Sequence, residues 1–143
     1  MLRITDGDRI ATGNAMDSAF NSCRGWFIGP FWEPDVGLRC SGVVEVKWSN
    51  HVADSQKIGV SGRDGTTSLA VLVSGSFLFT FPDEDPAEVT LGSQGDYVMY
   101  GPSVLHTWKA LEDSIVMTVR WVPEILPDGS QGNLTDIKRG HRV

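Results

Sequence analysis

Apolar and polar residues alternate along most of this chain, and long stretches with the 3.6-residue period of a helix are missing. Alternation of this kind is typical of strands, because successive side chains of a strand point to opposite faces of the sheet. In 43–48 (VVEVKW), the apolar Val44 and Val46 alternate with the charged Glu45 and Lys47. The pattern predicts an all-β fold in which this strand has an apolar face in the core and a charged face in water.

The centre of the chain carries two strongly apolar segments separated by a glycine. The segment 67–74 (TSLAVLVS) is almost continuously apolar, which favours a strand buried on both faces. Gly75 follows it, and 76–81 (SFLFTF) has phenylalanine at alternate positions, which predicts a strand with one aromatic face. Further strands are predicted, between short polar turns, at 87–91, 96–100, 105–110 and 114–121. Short, evenly spaced strands indicate a β-sandwich or a closed barrel.

The length of 143 residues suits one domain with one buried core. We expect residues 1–24 to form an N-terminal arm and residues 25–122 to form the barrel domain. Residues 123–143 turn polar and contain proline and glycine, so we expect them to form a C-terminal tail.

One short helix is predicted near the N-terminus, in 15–26 (AMDSAFNSCRGW). Asp17 or Ser18 would be its N-cap, and Gly25 would end it. In an otherwise all-β chain, we expect such a helix to pack across a sheet or against a dimer partner.

The charge of the chain argues against two classes of partner. The sequence has 12 Lys and Arg residues against 18 Asp and Glu residues, a formal net charge of −6. Nucleic acids and anionic membrane surfaces repel such a chain, so we expect neither as a partner. No apolar run is long enough to cross a bilayer, and the first ten residues (MLRITDGDRI) lack the apolar core of a secretory signal. We therefore expect a cytoplasmic protein.

One histidine lies in a recognisable motif, 95–108 (GDYVMYGPSVLHTW). A Gly-Asp turn opens the motif, Gly101 and Pro102 bend the chain, and His106 begins the return strand, so its ring can point into the mouth of a barrel. The ordinary pKa of histidine lies near neutrality, which makes His106 a candidate general acid or base. The alternative is a structural histidine whose ring nitrogens bond backbone carbonyls.

The order of these signals resembles the cupin superfamily, RmlC-like jelly-roll barrels of the double-stranded β-helix type. The second sequence motif of that family is G, five residues, then P-x-G-x-x-H, and here Gly95 and His106 take the first and last positions. Gly101 stands in the proline position, Ser103 in the glycine position and Ala110 in the asparagine position that follows. The spacing is kept better than the residue types. A similarity to small single-domain bacterial cupins of undefined activity extends through 25–31, 43–51 and 112–121.

The first cupin motif implies a metal site made by two histidines and a glutamate that precede a final glycine. Gly75 matches that glycine, and Ser68 then stands in the glutamate position. The two histidine positions are Gly62 and Asp64 or, with a loop one residue longer, Ser61 and Arg63. A metal site of this kind needs about three or four of the motif side chains. We therefore expect a barrel without the metal and with no other cofactor.

A metal site with different ligands is the alternative. His51, Asp64 and His106 would provide two histidines and one carboxylate, a set that can hold a single iron, zinc or manganese ion. The protein would then be a metal-dependent cupin enzyme, an oxygenase or an isomerase.

Four other residues are candidates for contact with a ligand in the barrel. Arg120 would be an anion clamp if its face of 114–121 points inward, and an ordinary surface charge if that face points outward. Tyr100 and Trp108 flank the motif histidine and could stack on a ring-shaped ligand. Arg63 stands in a metal-ligand position and could stabilise negative charge there in place of a metal.

Three functions follow from these residues. The favoured one is a metal-free cupin domain that binds a small polar or anionic molecule and either senses it or processes it by acid–base chemistry. The other two are the metal-dependent enzyme and a dimerisation or interaction module. A homodimer is expected, with the apolar segment 25–31 (GWFIGPF) at its interface.

Overall fold

The computed structural model describes residues 10, 12–19, 24–30, 38–62 and 65–122. These residues contain one short helix, α1 (Ala15–Ala19). The strands are β1 (Trp26–Ile28), β2 (Val44–His51), β3 (Thr67–Ser74), β4 (Phe77–Thr80), β5 (Glu88–Leu91), β6 (Tyr97–Tyr100), β7 (Thr107–Ala110) and β8 (Ser114–Trp121). The predicted all-β fold with a short N-terminal helix is confirmed. Among the described residues, no helix is long and apolar enough to cross a membrane.

The strands form two antiparallel sheets. The larger sheet has the order β1-β2-β8-β3-β6, and the smaller one has the order β5-β4-β7. The chain passes from β3 in the larger sheet to β4 in the smaller one through Gly75, which has a φ of +96°. A side chain at Gly75 would overlap the carbonyl of Asp113, so glycine is needed at this crossing.

The core lies between the two sheets and is strongly aromatic. The predicted aromatic face of 76–81 is confirmed, because Phe77, Phe79 and Phe81 are all buried. The ring centroids of Phe77 and Phe79 are 5.3 Å apart, a distance typical of favourable aromatic pairs. The other members of the core cluster are Ala70, Leu72, Leu91, Ala110 and Val116.

The prediction for the two faces of β2 is wrong. Glu45 and Ser49 are buried on the inner face, whereas the apolar Val46 lies on the opposite face and is only partly buried. The reason is that α1 contacts β2, so the outer face of this strand is not simply exposed to water. The Trp48 indole N–H donates a hydrogen bond to the sulfur of Met16 in α1 at 3.0 Å. The helix therefore covers part of the apolar outer face of β2, and the inner face of this strand can carry charge.

The expectation that β3 is buried on both faces holds for one face only. Ser68, Ala70 and Leu72 are buried, whereas Leu69 and Val71 are partly exposed. The outer face of the larger sheet is thus incompletely covered at β3, although it is apolar there.

The predicted start of the helix is wrong. The side-chain oxygen of Asn14 accepts a hydrogen bond from the backbone N–H of Met16 at 2.9 Å, so Asn14 is the N-cap and Asp17 lies inside the helix. Residues 20–23 lie outside the described residues, so the end of the helix at Gly25 stays a prediction. The expectation that the helix packs across a sheet is confirmed by its contacts with β1 and β2. The predicted C-terminal tail, 123–143, lies outside the described residues.

Candidate functional site

A cavity of about 120 Å³ opens between the two sheets. One water molecule needs about 10–15 Å³ measured in this way, so the cavity has room for several waters or one small molecule. Phe77, Phe79 and Trp108 supply an aromatic wall. The polar residues of the lining are Lys47, Ser49, His51, Lys57, Ser61, Tyr100, His106, Thr118 and Arg120.

Most of the residues singled out in the sequence meet in this cavity. His106, Tyr100, Trp108 and Arg120 all line it, and so does His51. Arg63 and Asp64 lie outside the described residues, so their roles stay predictions.

Four polar side chains form a row across the inner face of the larger sheet. Glu45 of β2 is opposite Arg120 of β8, Arg120 is opposite Ser68 of β3, and Ser68 is opposite Tyr100 of β6. Residues directly opposite each other in register share one face of a sheet, so all four point toward the interior. The next two rows along the same strands are less polar. The first contains Lys47, Thr118 and Ala70, and the second contains Ser49, Val116 and Leu72.

The sequence left open whether Arg120 points into the barrel or outward, and in the structure it points inward. Its Nη1 donates to Oε1 of the buried Glu45 at 3.4 Å. The guanidinium carbon also lies 4.8 Å from the centroid of the Trp26 ring, a cation–π contact. A guanidinium has five N–H donors in a fixed plane, so a group anchored on two sides by Glu45 and Trp26 still presents donors to the cavity.

His106 is held by the backbone on one side and faces hydroxyl groups on the other. Its Nδ1 lies 3.2 Å from the carbonyl oxygen of Val104. A carbonyl can only accept, which assigns the proton of the neutral ring to Nδ1 and leaves Nε2 as an acceptor. Nε2 is 3.3 Å from the hydroxyl of Ser61 and 3.4 Å from that of Tyr100. Nδ1 therefore makes the backbone contact expected of a structural histidine, whereas Nε2 is the nitrogen that an acid–base role would use.

Ser61 is fixed opposite His106 by the backbone. The N–H of Ser61 donates to the carbonyl of His106 at 3.0 Å, and the N–H of His106 donates to the carbonyl of Ser61 at 2.8 Å. The next residue, Gly62, has a φ of +128°, and a side chain there would overlap the carbonyl of Val104. Ser61 lines the cavity beside His106, and the choice between the two alignments of the first cupin motif stays open because residues 63 and 64 lie outside the described residues.

His51 lies among aromatic side chains. Its ring centroid is 4.4 Å from that of Trp108 and 5.0 Å from that of Phe77. Burial, followed by the nearby charge of Lys47, lowers the pKa of His51 from 6.5 to about 4. The hydroxyl of Ser49 donates to a backbone carbonyl, so it accepts a hydrogen bond from Nε2 of His51 at 2.9 Å.

Lys47 is a partly buried cation that lines the cavity. Burial lowers its pKa from 10.5 to about 8, and the positive charge of Arg120 contributes to the shift. Arg24 and Lys57 act in the same direction, whereas Glu45 opposes them. A lysine in this setting loses its proton more readily than a lysine in water.

The sequence analysis missed Lys47, Lys57 and Trp26 as parts of the site. Lys47 alternates with apolar residues, a pattern that describes an outward charge equally well. The pairing of Glu45 with Arg120 turns this face of β2 toward the cavity. Because that pairing joins strands distant in the sequence, the local pattern around Lys47 does not reveal it.

Comparisons with known proteins identify the architecture. No family model and no curated protein matches the chain. KdgF from Halomonas sp. has a similar structure, with 17% identity, a TM-score of 0.50, and coverage of 58% of this chain and 73% of its own. A cupin superfamily protein from Desulfitobacterium hafniense DCB-2 is 16% identical with a TM-score of 0.49, over 58% of this chain and 71% of that one. An HTH_3 family transcriptional regulator from Vibrio cholerae is 15% identical with a TM-score of 0.48, over 57% of this chain and 44% of that one, so this chain spans less than half of the regulator.

The chain has the cupin fold. The predicted jelly-roll architecture is therefore confirmed. Ser61 and His106 lie side by side at the cavity, and Ser68 lies in the polar row of the larger sheet.

Of the cupin positions that the structure describes, Ser61, Ser68 and His106 do not by themselves make a metal site. Ser61 and Ser68 offer neutral hydroxyls and His106 offers one ring nitrogen, whereas iron, zinc and manganese sites are built from several imidazoles and carboxylates. Lys47 and Arg120 place positive charge in the same cavity, which opposes a divalent cation. Within the described segments, no three His, Cys, Asp or Glu side chains are grouped so that they could hold a metal.

The structure describes two of the three residues in the alternative metal set. His51 and His106 both line the cavity, but Nε2 of His51 is engaged with Ser49. Asp64 lies outside the described residues. The set of His51, Asp64 and His106 with iron, zinc or manganese therefore stays a prediction.

Proposed function

We propose that this cupin barrel binds a small anionic molecule, such as a short carboxylic acid, without a metal ion. The observation that carries the proposal is the charge of the cavity. Lys47, Lys57 and Arg120 line it, and Glu45 is the carboxylate beside them. Because the whole chain has a net charge of −6, this positive charge is local and runs against the average.

An anion would relieve the repulsion between these cations. Burial and the neighbouring positive groups lower the pKa of Lys47 to about 8, so these surroundings destabilise its charged form relative to water. An opposite charge at about 4 Å contributes on the order of 4 kcal/mol at an effective dielectric constant near 20. A bound carboxylate would therefore raise the pKa of Lys47 again and stabilise the folded protein.

The rest of the cavity suits a ligand with a small planar or apolar body. Phe77 and Trp108 offer aromatic surface, and Tyr100 brings both a ring and a hydroxyl. Nε2 of His106, as the acceptor nitrogen, can take a proton from a ligand hydroxyl or acid group. The same arrangement serves a sensor that only binds its ligand and an acid–base catalyst that converts it.

Binding is tested by the thermal unfolding of purified protein at constant ionic strength, with acetate, pyruvate, malonate, succinate or sulfate in place of chloride. We expect at least one of these anions to raise the melting temperature in a saturable way, as a ligand specific for the folded state does. Lys47→Met is expected to remove the effect. Lys109→Met is the matched control, because Lys109 lies on β7 and outside the cavity lining. The proposal is wrong if no anion acts differently from chloride, or if both variants lose the effect equally.

We also propose a homodimer. It is supported by the position of β1, which is one end of the larger sheet among the described strands and belongs to the apolar segment 25–31. A strand at the end of a sheet is a site where a second chain can add. Light scattering during size-exclusion chromatography tests this, and a monomer at tens of micromolar would contradict it.

A further inference from the structure

We infer that Lys47 forms a reversible imine with the carbonyl group of a small 2-oxo acid or aldehyde acid. This inference rests on the proposed anion binding and narrows its ligand class, because it requires a carboxylate and a carbonyl carbon in one small molecule. The cavity would hold the carboxylate by its other cations and present the amine of Lys47 to the carbonyl.

The placement of Lys47 beside a second cation is the first support. Lys47 is paired in register with Trp26 of β1 and Thr118 of β8. Its Nζ lies 5.5 Å from the centroid of the Trp26 ring, and the guanidinium carbon of Arg120 lies 4.8 Å from the same centroid. The amine and the guanidinium thus both contact one indole, and both residues line the cavity. Arg120 cannot act as a nucleophile at any ordinary pH, so the two groups have different chemical capacities.

The second support is that a carboxylate has an anchor next to this amine. Arg120 offers the planar donor pattern that carboxylates bind, and Lys57 also lines the cavity. In a molecule such as glyoxylate or pyruvate, the carbonyl carbon is bonded directly to the carboxylate carbon. A carboxylate held at Arg120 would therefore place the carbonyl carbon in the same cavity that Lys47 lines.

The third support is the protonation state of Lys47. Imine formation requires a neutral amine, and an exposed lysine with a pKa near 10.4 is less than about 1% neutral at pH 8. Burial, then Arg120, Arg24 and Lys57, lower the pKa of Lys47 to about 8, against the opposing effect of Glu45. About half of the Lys47 side chains are then neutral at pH 8.

His51, a titratable group on the same strand, leaves this picture unchanged. Its pKa is lowered to about 4 by burial and by Lys47 itself, so it is uncharged at pH 8. Among the described residues, the charges that shift the pKa of Lys47 are those of Arg120, Arg24, Lys57 and Glu45. His106, next to β7, and Tyr100 of β6 face the same cavity.

The proposed step is balanced without a further reactant. The lone pair of Nζ attacks the carbonyl carbon, a C–N bond forms, and the carbonyl oxygen takes up a proton as the nitrogen loses one. The carbinolamine then loses its hydroxyl as water with a second proton from nitrogen, which leaves a C=N bond. Water reverses both steps, so the product can be released.

The test uses the full chain with glyoxylate at pH 8, followed by sodium cyanoborohydride. The reagent delivers hydride to the C=N carbon and the nitrogen takes a proton from water, which fixes the adduct as a carboxymethyl group on lysine. We expect peptide mass spectrometry to find this group on Lys47 at least tenfold more than on Lys109, and to find the preference reduced by competing acetate. The labelling rate at Lys47 should level off above about pH 8.

Lys47→Arg has no nucleophilic amine at this position and should lose the trapped adduct, whereas Lys109→Arg should keep the adduct on Lys47. The rise in melting temperature of the wild-type protein with acetate reports separately on the anion binding beneath this inference. Equal labelling of the lysines in a wild-type protein that still binds acetate would overturn the imine and leave the anion site standing. The absence of both labelling preference and acetate stabilisation would overturn the two proposals together.

Discussion

Glu45 and Arg120 lie opposite each other on β2 and β8, with the carboxylate Oε1 3.4 Å from Nη1 of the guanidinium. The side chain of Glu45 is fully buried, and that of Arg120 is 24% exposed. A carboxylate removed from water in this way is costly to leave without its cation. This pair therefore turns a charged face of β2 toward the cavity and holds Arg120 at its edge.

Arg120→Met should destabilise the protein, because Glu45 then loses the guanidinium beside it. We expect the free energy of unfolding to fall by about 2 kcal/mol or more, since breaking a buried ion pair typically costs about 3–5 kcal/mol and Arg120 is partly exposed. Urea unfolding followed by tryptophan fluorescence measures the change. Adding Glu45→Gln to Arg120→Met should recover much of the loss. If the double variant is as unstable as the sum of the single ones, the two side chains are not coupled.

Lys47→Met should stabilise the unliganded protein near neutral pH. The pKa of Lys47 falls from 10.5 to about 8 on folding, mainly through burial, so the protonated side chain opposes the folded state. We expect a gain of about 1–3 kcal/mol in the free energy of unfolding. In the wild type, the unfolded chain holds the Lys47 proton between pH 8 and 10.5 while the folded chain has released it. The stability contribution of this residue therefore rises with pH across that window, and urea titrations should show the rise in the wild type but not in Lys47→Met.

His51 should make the folded protein less stable in acid. Burial and Lys47 lower its pKa from 6.5 to about 4, so the unfolded chain binds a proton in this range that the folded chain does not bind. The contribution of His51 is complete above about pH 6.5 and is lost as the pH falls toward 4. His51→Phe keeps aromatic contacts with Phe77 and Trp108 and should flatten this part of the pH profile. An unchanged slope in that variant would assign the acid sensitivity to other groups.

Gly62→Ala should destabilise the protein more than Gly59→Ala. Both glycines have positive φ, +128° and +79°, but only at Gly62 would a side chain overlap the backbone carbonyl of Val104. Strained backbone of this kind costs about 1–3 kcal/mol, and the overlap at Gly62 adds to it. Thermal unfolding of the two variants measures the difference. Equal losses would mean that the 61–62 segment can move away from Val104, and with it Ser61 from His106.

Local sequence was sufficient to predict the strands and much of the cavity. The phenylalanines of 76–81 repeat every second residue, and this spacing alone places them on one face of β4. The turn at Gly101 and Pro102 similarly places His106 at the start of a return segment beside β7. Both inferences depend on neighbours in the chain, which is why they needed no knowledge of the rest of the fold.

Tertiary structure decided the charge of the cavity. Alternation along β2 separates Glu45 and Lys47 from Val44 and Val46, but it does not say which set faces the core. The packing of α1 over the outer face and the register of β2 against β8 settled that question. The sequence by itself determined a cupin-like set of strands with a histidine at the barrel mouth. Only the fold brought Lys47 to the same cavity, because its partners there come from strands distant in the chain.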